Sequence, residues 1–172
     1  MIVGDSKSAY ISGVTGGRLS NNSTQVLEVG RFAVSGDTVA KRLLETDTDI
    51  TGFDSKKGDP DIILINLGSN DSVNMVDETT WKTGYTNLIA KYHTRWNNAQ
   101  IYLAQVWRGA TADDCNTLDT WIEDLVSLQT YLHLGIDERT FLPSVTVDNI
   151  HPTDPAGYVE MCNQWKTVLG LT

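Results

Sequence analysis

The feature that most constrains the fold is the run Asp61-Ile62-Ile63-Leu64-Ile65-Asn66-Leu67, which follows Pro60 and stops at Gly68. A continuous β-branched run has no face to give to water, so it reads as a parallel strand covered on both sides. Such a strand demands neighbours in a sheet and helices above and below it. The rest of the chain supplies candidates. Ile2-Val3 is a short apolar run at the start, Val26 to Val29 a second candidate strand, Ile101 to Val106 a further buried strand, and Thr140-Phe141-Leu142 a last short one. Between them, Thr38 to Leu44 has apolar residues at helical spacing, and Thr79 to Trp96 sets Trp81, Tyr85, Leu88, Ile89 and Tyr92 on one stripe. Asp119 to Leu132 is the clearest amphipathic helix, with Asp119 as its N-cap, and Pro155 opens a final helix carrying Val159, Met161, Cys162 and Trp165. Five strands alternating with helices predict a three-layer α/β/α sandwich with a mostly parallel five-stranded sheet. With 172 residues and no internal repeat or low-complexity linker, residues 1–172 read as a single domain.

Charge narrows the partners. Thirteen Lys and Arg against 22 Asp and Glu leave a formal net charge of −9 and a pI near 4.6. Non-specific nucleic-acid binding and docking on anionic lipid both need a basic face, so neither is expected. Polyanionic substrates are disfavoured, and neutral ones stay open. No stretch approaches the roughly 18 apolar residues of a spanning helix. Met1-Ile2-Val3-Gly4-Asp5 holds neither a basic stretch nor an apolar leader. The expectation is a soluble protein made without a signal peptide, or a secreted mature form with Met1 in the leader's place. Cys115 and Cys162 lack a C-x-x-C spacing and read as two free, partly buried thiols.

In parallel sheets, chemistry gathers where strands end. Gly4-Asp5-Ser6 follows the first strand, Val34-Ser35-Gly36-Asp37 the second, Gly68-Ser69-Asn70-Asp71 the third, and Asp148-Asn149-Ile150-His151-Pro152 the last. A serine, a histidine, an aspartate, an amide side chain and flexible backbone are the inventory of a serine hydrolase. Asp148 and His151 stand three apart in a loop, so a carboxylate can hold Nδ1–H and leave Nε2 facing Ser6. Asn70 offers uncharged N–H donors, and Gly36 lets backbone come close to a substrate. The order Ser…Asp-x-x-His and the lack of any G-x-S-x-G set the chain apart from nucleophile-elbow hydrolases. Each motif alone is weak: Ser6 by itself reads as a helix N-cap, G-x-N-D as a turn, and D-x-x-H as a surface capping pair. Their joint order at four strand ends is the signal.

These four blocks, with the flanks DPDIILINLGSND and HPTDPAGY, resemble those of the SGNH hydrolases, the GDSL esterase/lipase superfamily. The resemblance runs from Ile2 to the last helix. It implies the flavodoxin-like SGNH fold, with Ser6 as nucleophile, His151 as base and Asp148 orienting the base. The oxyanion hole would be the Ser6 N–H, the Gly36 N–H and Asn70 Nδ2, with no metal and no cofactor. Lys7 stands where the older family name expects Leu, a departure that bears on substrate preference, and Lys7 and Trp107 are the candidate substrate contacts. Trp107, after the fourth strand, reads equally as a core or rim residue.

So short a chain has few insertions for a lid or acyl tunnel, and the loops Asn74 to Thr80 and Trp107 to Leu118 are mostly polar. The expected substrate is a small or polymeric ester, a carbohydrate carrying short acyl groups such as acetyl. The alternatives are a lysophospholipase, thioesterase or arylesterase of the same superfamily, or a silent carbohydrate-binding or virion module. His93 and His133 read as surface residues. Asp47-Thr48-Asp49-Ile50-Thr51-Gly52 imitates the start of a calcium loop, but its twelfth position is Gly58 where Glu is needed. Asn21, Asn22 and Asn70 begin accidental N-x-S/T matches, since a glycan on Asn70 would block the site.

Overall fold

The computed structural model describes residues 1–11, 19, 31–44 and 59–171. Five strands, β1 (Ile2–Gly4), β2 (Arg31–Ala33), β3 (Ile62–Asn66), β4 (Gln100–Gln105) and β5 (Leu132–Asp137), form one parallel sheet in the order β2-β1-β3-β4-β5. Five described helices accompany it: α1 (Ser6–Ile11), α2 (Val39–Leu43), α3 (Glu78–Arg95), α4 (Ala112–Val126) and α5 (Ala156–Leu169).

Alternation along β3 builds the three layers. Ile63, Ile65 and Leu67 join Tyr85, Leu88 and Tyr92 of α3 and Leu118 and Ile122 of α4 in one core, while Leu64 joins Met161, Cys162 and Trp165 of α5 in a second. Both faces are dry, which is why the strand shows no polar alternation. Each such Ile or Leu, fully buried, contributes about 1.5–3 kcal/mol. The chain runs from β1 outward to β2 and then crosses back to β3, so the winding reverses at β1. Gly4 lies opposite both Ala33 and Asn66. The carboxyl ends of the three strands are therefore level, and the segments that follow them meet in one crevice.

Helix ends follow local chemistry. Thr38 caps α2 by accepting from the Lys41 N–H, and Asp77 caps α3 by accepting from the Thr80 N–H. Two expectations fail. The last strand is Leu132–Asp137, and Glu138–Thr140 and Leu142–Ser144 are 3-10 turns instead of the strand read at Thr140-Phe141-Leu142. β5 is an edge strand whose burial is interrupted, so it lacks the apolar run that marks β3. Its Gly135 is also required, since a Cβ there would stand 2.6 Å from Trp165 Cη2. Nor is Asp119 an N-cap. The helix starts seven residues earlier at Ala112, and Asp119 is buried within it, accepting from the Val106 N–H at 2.6 Å.

His133 lies on β5, its Nε2 2.7 Å from Gln100 Oε1, and His93 stacks on Tyr131 at 3.6 Å between ring centroids. Cys115 and Cys162 are fully buried thiols, and burial pushes the Cys162 thiol up to about 12. No described helix is long and apolar enough to cross a membrane. The Val26 to Val29 run, the calcium-like Asp47 to Gly52 segment, Asn21 and Asn22 lie outside the described residues.

Candidate active site

The crevice is assembled from the segments that follow β1, β2 and β3 together with residues 148–152, which follow no strand directly and come after the two 3-10 turns beyond β5. β1 passes into α1 through Asp5 alone, so Ser6 is the first residue of its helix. Gly4 makes that junction feasible: a Cβ there would lie 2.4 Å from Ser8 Oγ and 2.7 Å from the Asn66 carbonyl oxygen. As the first helical residue, Ser6 has a backbone N–H with no partner inside the helix. Its side chain is nearly buried, 8% exposed, and Oγ lies 2.9 Å from His151 Nε2.

The histidine is held by its own loop. His151 Nδ1 lies 2.7 Å from Asp148 Oδ2, while Asp148 Oδ1 accepts the backbone N–H groups of Ile150 at 3.0 Å and His151 at 2.7 Å. Asn149 takes φ +60°, a left-handed conformation that Asn tolerates, and so folds the loop back on Asp148. The His151 backbone N–H first, and then its ring, hold the Asp148 carboxyl down at about 2. The loop is open: the side chains of His151 and Asp148 are 35% and 47% exposed.

The opposite wall joins the second and third segments. Val34 to Asp37 form a turn closed by Asp37 N–H to the Val34 carbonyl at 3.2 Å, with Gly36 at φ +78°. Nothing stands within 4 Å of where a Gly36 Cβ would be, so the backbone angle, not crowding, demands glycine here. Asn70 Nδ2 donates to the Asp37 carbonyl at 2.9 Å and approaches Asp5 Oδ2 at 3.4 Å. Asp5 is fully buried and also accepts from the Lys7 N–H at 3.0 Å and Ser69 Oγ at 2.5 Å, which ties the first segment to the third. Asp71 accepts from the Val39 N–H and Trp81 Nε1 at 3.2–3.3 Å, and burial pushes its carboxyl up to about 6. A cavity of about 210 Å³ opens beside Asn70, lined by Thr38, Val39, Asp71, Val76 and Trp81 among others. Ser6 and His151 do not line it.

The structure thus brings Ser6, His151 and Asp148 into one hydrogen-bonded row and sets Asn70 against the Gly36-Asp37 turn. It removes Lys7 from the substrate side. Lys7 is completely buried, ion-paired to Glu138, and donates to the Trp107 carbonyl at 3.0 Å. Trp107 is half-buried, and its N–H is taken by Glu138 at 2.9 Å. Its ring passes close to Gly109, where a Cβ would stand 3.2 Å from Trp107 Cζ2. Two residues of this region gave no usable sequence signal. Glu138 is a fully buried carboxylate 131 residues from its lysine, and Arg108 donates from Nη1 to Asn70 Oδ1 at 3.2 Å. Among the described residues, no group of three or more His, Cys, Asp or Glu is arranged to hold a metal ion.

A serine hydroxyl on an imidazole, at the winding reversal of a parallel sheet, places the chain among ester hydrolases. It belongs to the GDSL-like lipase/acylhydrolase family, whose model matches residues 2–158. In fold it is similar to a putative lipolytic protein of the G-D-S-L family from Desulfitobacterium hafniense, with a TM-score of 0.75, 19% identity and 97% of each chain covered. It is also similar to a carbohydrate esterase of family 3 from Talaromyces cellulolyticus (TM-score 0.71, 17% identity), covering 98% of this chain and 94% of that one. The psychrotrophic esterase EstA from Pseudoalteromonas is a third such structure, with a TM-score of 0.71, 18% identity and the same two coverages. No curated protein sequence matches the chain.

Proposed function

We propose that this protein is a metal-independent serine ester hydrolase, acting through Ser6, His151 and Asp148 on short acyl groups, acetyl foremost, carried by a carbohydrate. The observation that carries the reading is the Ser6 Oγ to His151 Nε2 contact at 2.9 Å, continued by His151 Nδ1 to Asp148 Oδ2 at 2.7 Å. Nε2 takes the Oγ proton as Ser6 attacks the ester carbonyl carbon, and the carbonyl oxygen becomes an oxyanion. That oxyanion is received by the Ser6 N–H, the Gly36 N–H and Asn70 Nδ2. His151 returns the proton to the leaving alcohol as the ester C–O bond breaks, leaving an acyl-serine. Water, deprotonated by His151, then attacks the acyl carbon, releasing the acid and restoring Ser6. Asp148 stays charged throughout and stabilises the imidazolium.

The carbohydrate part rests on openness and on Trp107. With Asp148 and His151 exposed to this degree, a bulky alcohol can approach the leaving-group side, and a half-buried indole beside Gly109 offers a sugar an apolar face. A carbohydrate esterase with this fold is in keeping with that reading. One observation favours the lipase-like alternative: the cavity beside Asn70 has Val39, Val76 and Trp81 in its lining, and Val76 is 48% exposed. Four methylenes buried there would contribute about 3 kcal/mol.

A C2 to C12 p-nitrophenyl ester series, run beside Ser6→Ala, tests both levels. The acetylesterase reading expects kcat/KM to be highest at C2 or C3 and to fall steeply beyond C4, while a maximum at C8 or longer promotes the alternative. Ser6→Ala should lower kcat by about 10⁴-fold or more with the fold unchanged by circular dichroism. A variant keeping a tenth of the rate refutes the nucleophile assignment. Overnight EDTA should leave activity intact.

A further inference from the structure

We infer that Arg108 is a positioning residue for Asn70, its guanidinium fixing and polarising the side-chain amide whose Nδ2 receives the oxyanion. This rests on the reading of Asn70 as an oxyanion donor. Arg108 Nη1 donates to Asn70 Oδ1 at 3.2 Å. A guanidinium carries only donors, so it can face the oxygen of the amide and never its nitrogen. At the amide's other end, Nδ2 meets the Asp37 carbonyl at 2.9 Å and Asp5 Oδ2 at 3.4 Å, two groups that only accept. The amide is therefore oriented from both ends. A cation on its carbonyl oxygen also draws electron density from the N–H bonds, which makes them stronger donors to a new negative charge.

The surroundings give that charge a purpose. The Asp5 carboxylate and the Asp37 carbonyl lie at the Nδ2 end of Asn70, a poor setting for an oxyanion. Of the nearby cations, Arg42 pairs with Asp37 at 2.5 Å, Lys7 is buried against Glu138, and Lys41 donates to the Gly36 carbonyl at 2.9 Å. Among the described residues, no carboxylate lies within ion-pair distance of Arg108, and its Nε is buried without a hydrogen-bond partner. Its backbone is pinned on both sides. The Trp107 N–H and C=O are held by Glu138 and Lys7, and the Gly109 N–H donates to the Asn149 carbonyl at 2.8 Å. A side chain anchored in this way can hold another group to a fraction of an ångström.

The test is a double-mutant cycle over Arg108 and Asn70 with p-nitrophenyl acetate. Arg108→Ala should lower kcat by about 10-fold with KM changed less than about twofold, and Arg108→Lys should recover most of the loss. In an Asn70→Ala background, Arg108→Ala should change kcat by less than about twofold. An equal loss in both backgrounds would show the guanidinium acting independently of Asn70, and a loss confined to KM would make it a substrate contact. Either result overturns the inference. A second readout needs no turnover: the Asn70 side-chain amide ¹H–¹⁵N resonances should shift in Arg108→Ala and stay in place in Arg139→Ala. If they do not move, Arg108 does not act on that amide. Should the wild type hydrolyse no ester, the hydrolase reading fails by itself and the resonances still decide this one. If Arg108→Ala does not fold, Arg108→Lys and Arg108→Gln carry both measurements.

Discussion

Replacing Lys7 by Leu, the residue expected from the GDSL pattern, should destabilise the protein more than any change in the exposed loop of residues 148–151. Lys7 and Glu138 are both fully buried and paired to each other. Glu138 also accepts from Asn66 Nδ2 and the Trp107 N–H, each at 2.9 Å, so its carboxylate is fixed in place when the lysine goes. Removing one partner of a buried pair leaves an uncompensated charge and costs about 3–5 kcal/mol. Against a total stability of about 5–15 kcal/mol, that is a large share. At about 2–4 °C per kcal/mol for a domain of this size, a loss near 4 kcal/mol lowers Tm by roughly 8–16 °C.

The double variant Lys7→Leu/Glu138→Gln removes the orphaned charge while keeping a polar group for Asn66 and the Trp107 N–H. It should recover at least about half of the loss. The sign with pH follows from burial. Burial raises the Glu138 pKa and Lys7 opposes that rise, so without Lys7 the folded carboxyl binds a proton more readily than the unfolded one. Stability of the single variant then falls as pH rises, and its deficit against wild type is smaller at pH 5 than at pH 8. Urea denaturation followed by circular dichroism measures this through the midpoint at constant slope. A single-variant loss below about 1 kcal/mol, or a double variant no more stable than the single one, refutes the reasoning.

Asn70→Ala removes one of the three proposed oxyanion donors and should lower kcat by about 10²–10³-fold with little change in KM; steady-state kinetics would instead show a pure KM effect if Asn70 only held the ground state. Burial pushes Asp119 up to about 7 and Asp71 up to about 6, so the folded protein binds extra protons between the ordinary aspartate range and those values. Their contribution to stability therefore falls as pH rises from about 4 to 7. Asp119→Asn should flatten that slope in a pH series of thermal melts, and an unchanged slope would count against it. Asp148 is held at about 2, so its charge persists through mildly acid pH. A pH series of kcat/KM should accordingly show no step from the Asp148 carboxyl above about pH 4, and such a step, absent in Asp148→Asn, would refute the assignment.

The sequence by itself determined the parallel sheet, the helix faces and the segments that follow β1, β2 and β3. Those properties are local. The run Ile62 to Leu67 declares a strand dry on both faces, and Gly36 and Asn149 answer to backbone conformations set within a few residues. The Asp148 to His151 spacing is local too, because one loop of four residues forms all three of its hydrogen bonds. The family resemblance rested on the same short blocks and pointed to the same residues. Edge strand β5 was missed because half-buried alternation is a weak pattern, and the start of α4 was misplaced because the polar pair Asp113-Asp114 masks its first turn.

Tertiary structure decided what no short window contains, the partner of each charge. Lys7 beside Ser6 reads in the sequence as a substrate contact. Its burial could not be read without Glu138, which the fold delivers from the turn after β5. Arg108 meets Asn70 only because β4 lies next to β3 in the sheet, so that the segments leaving both strands share one wall of the crevice. A buried charge is tolerated only with its counterpart in place. Pairing across 38 or 131 residues is settled by strand order and packing, which the side chains at either end do not encode alone.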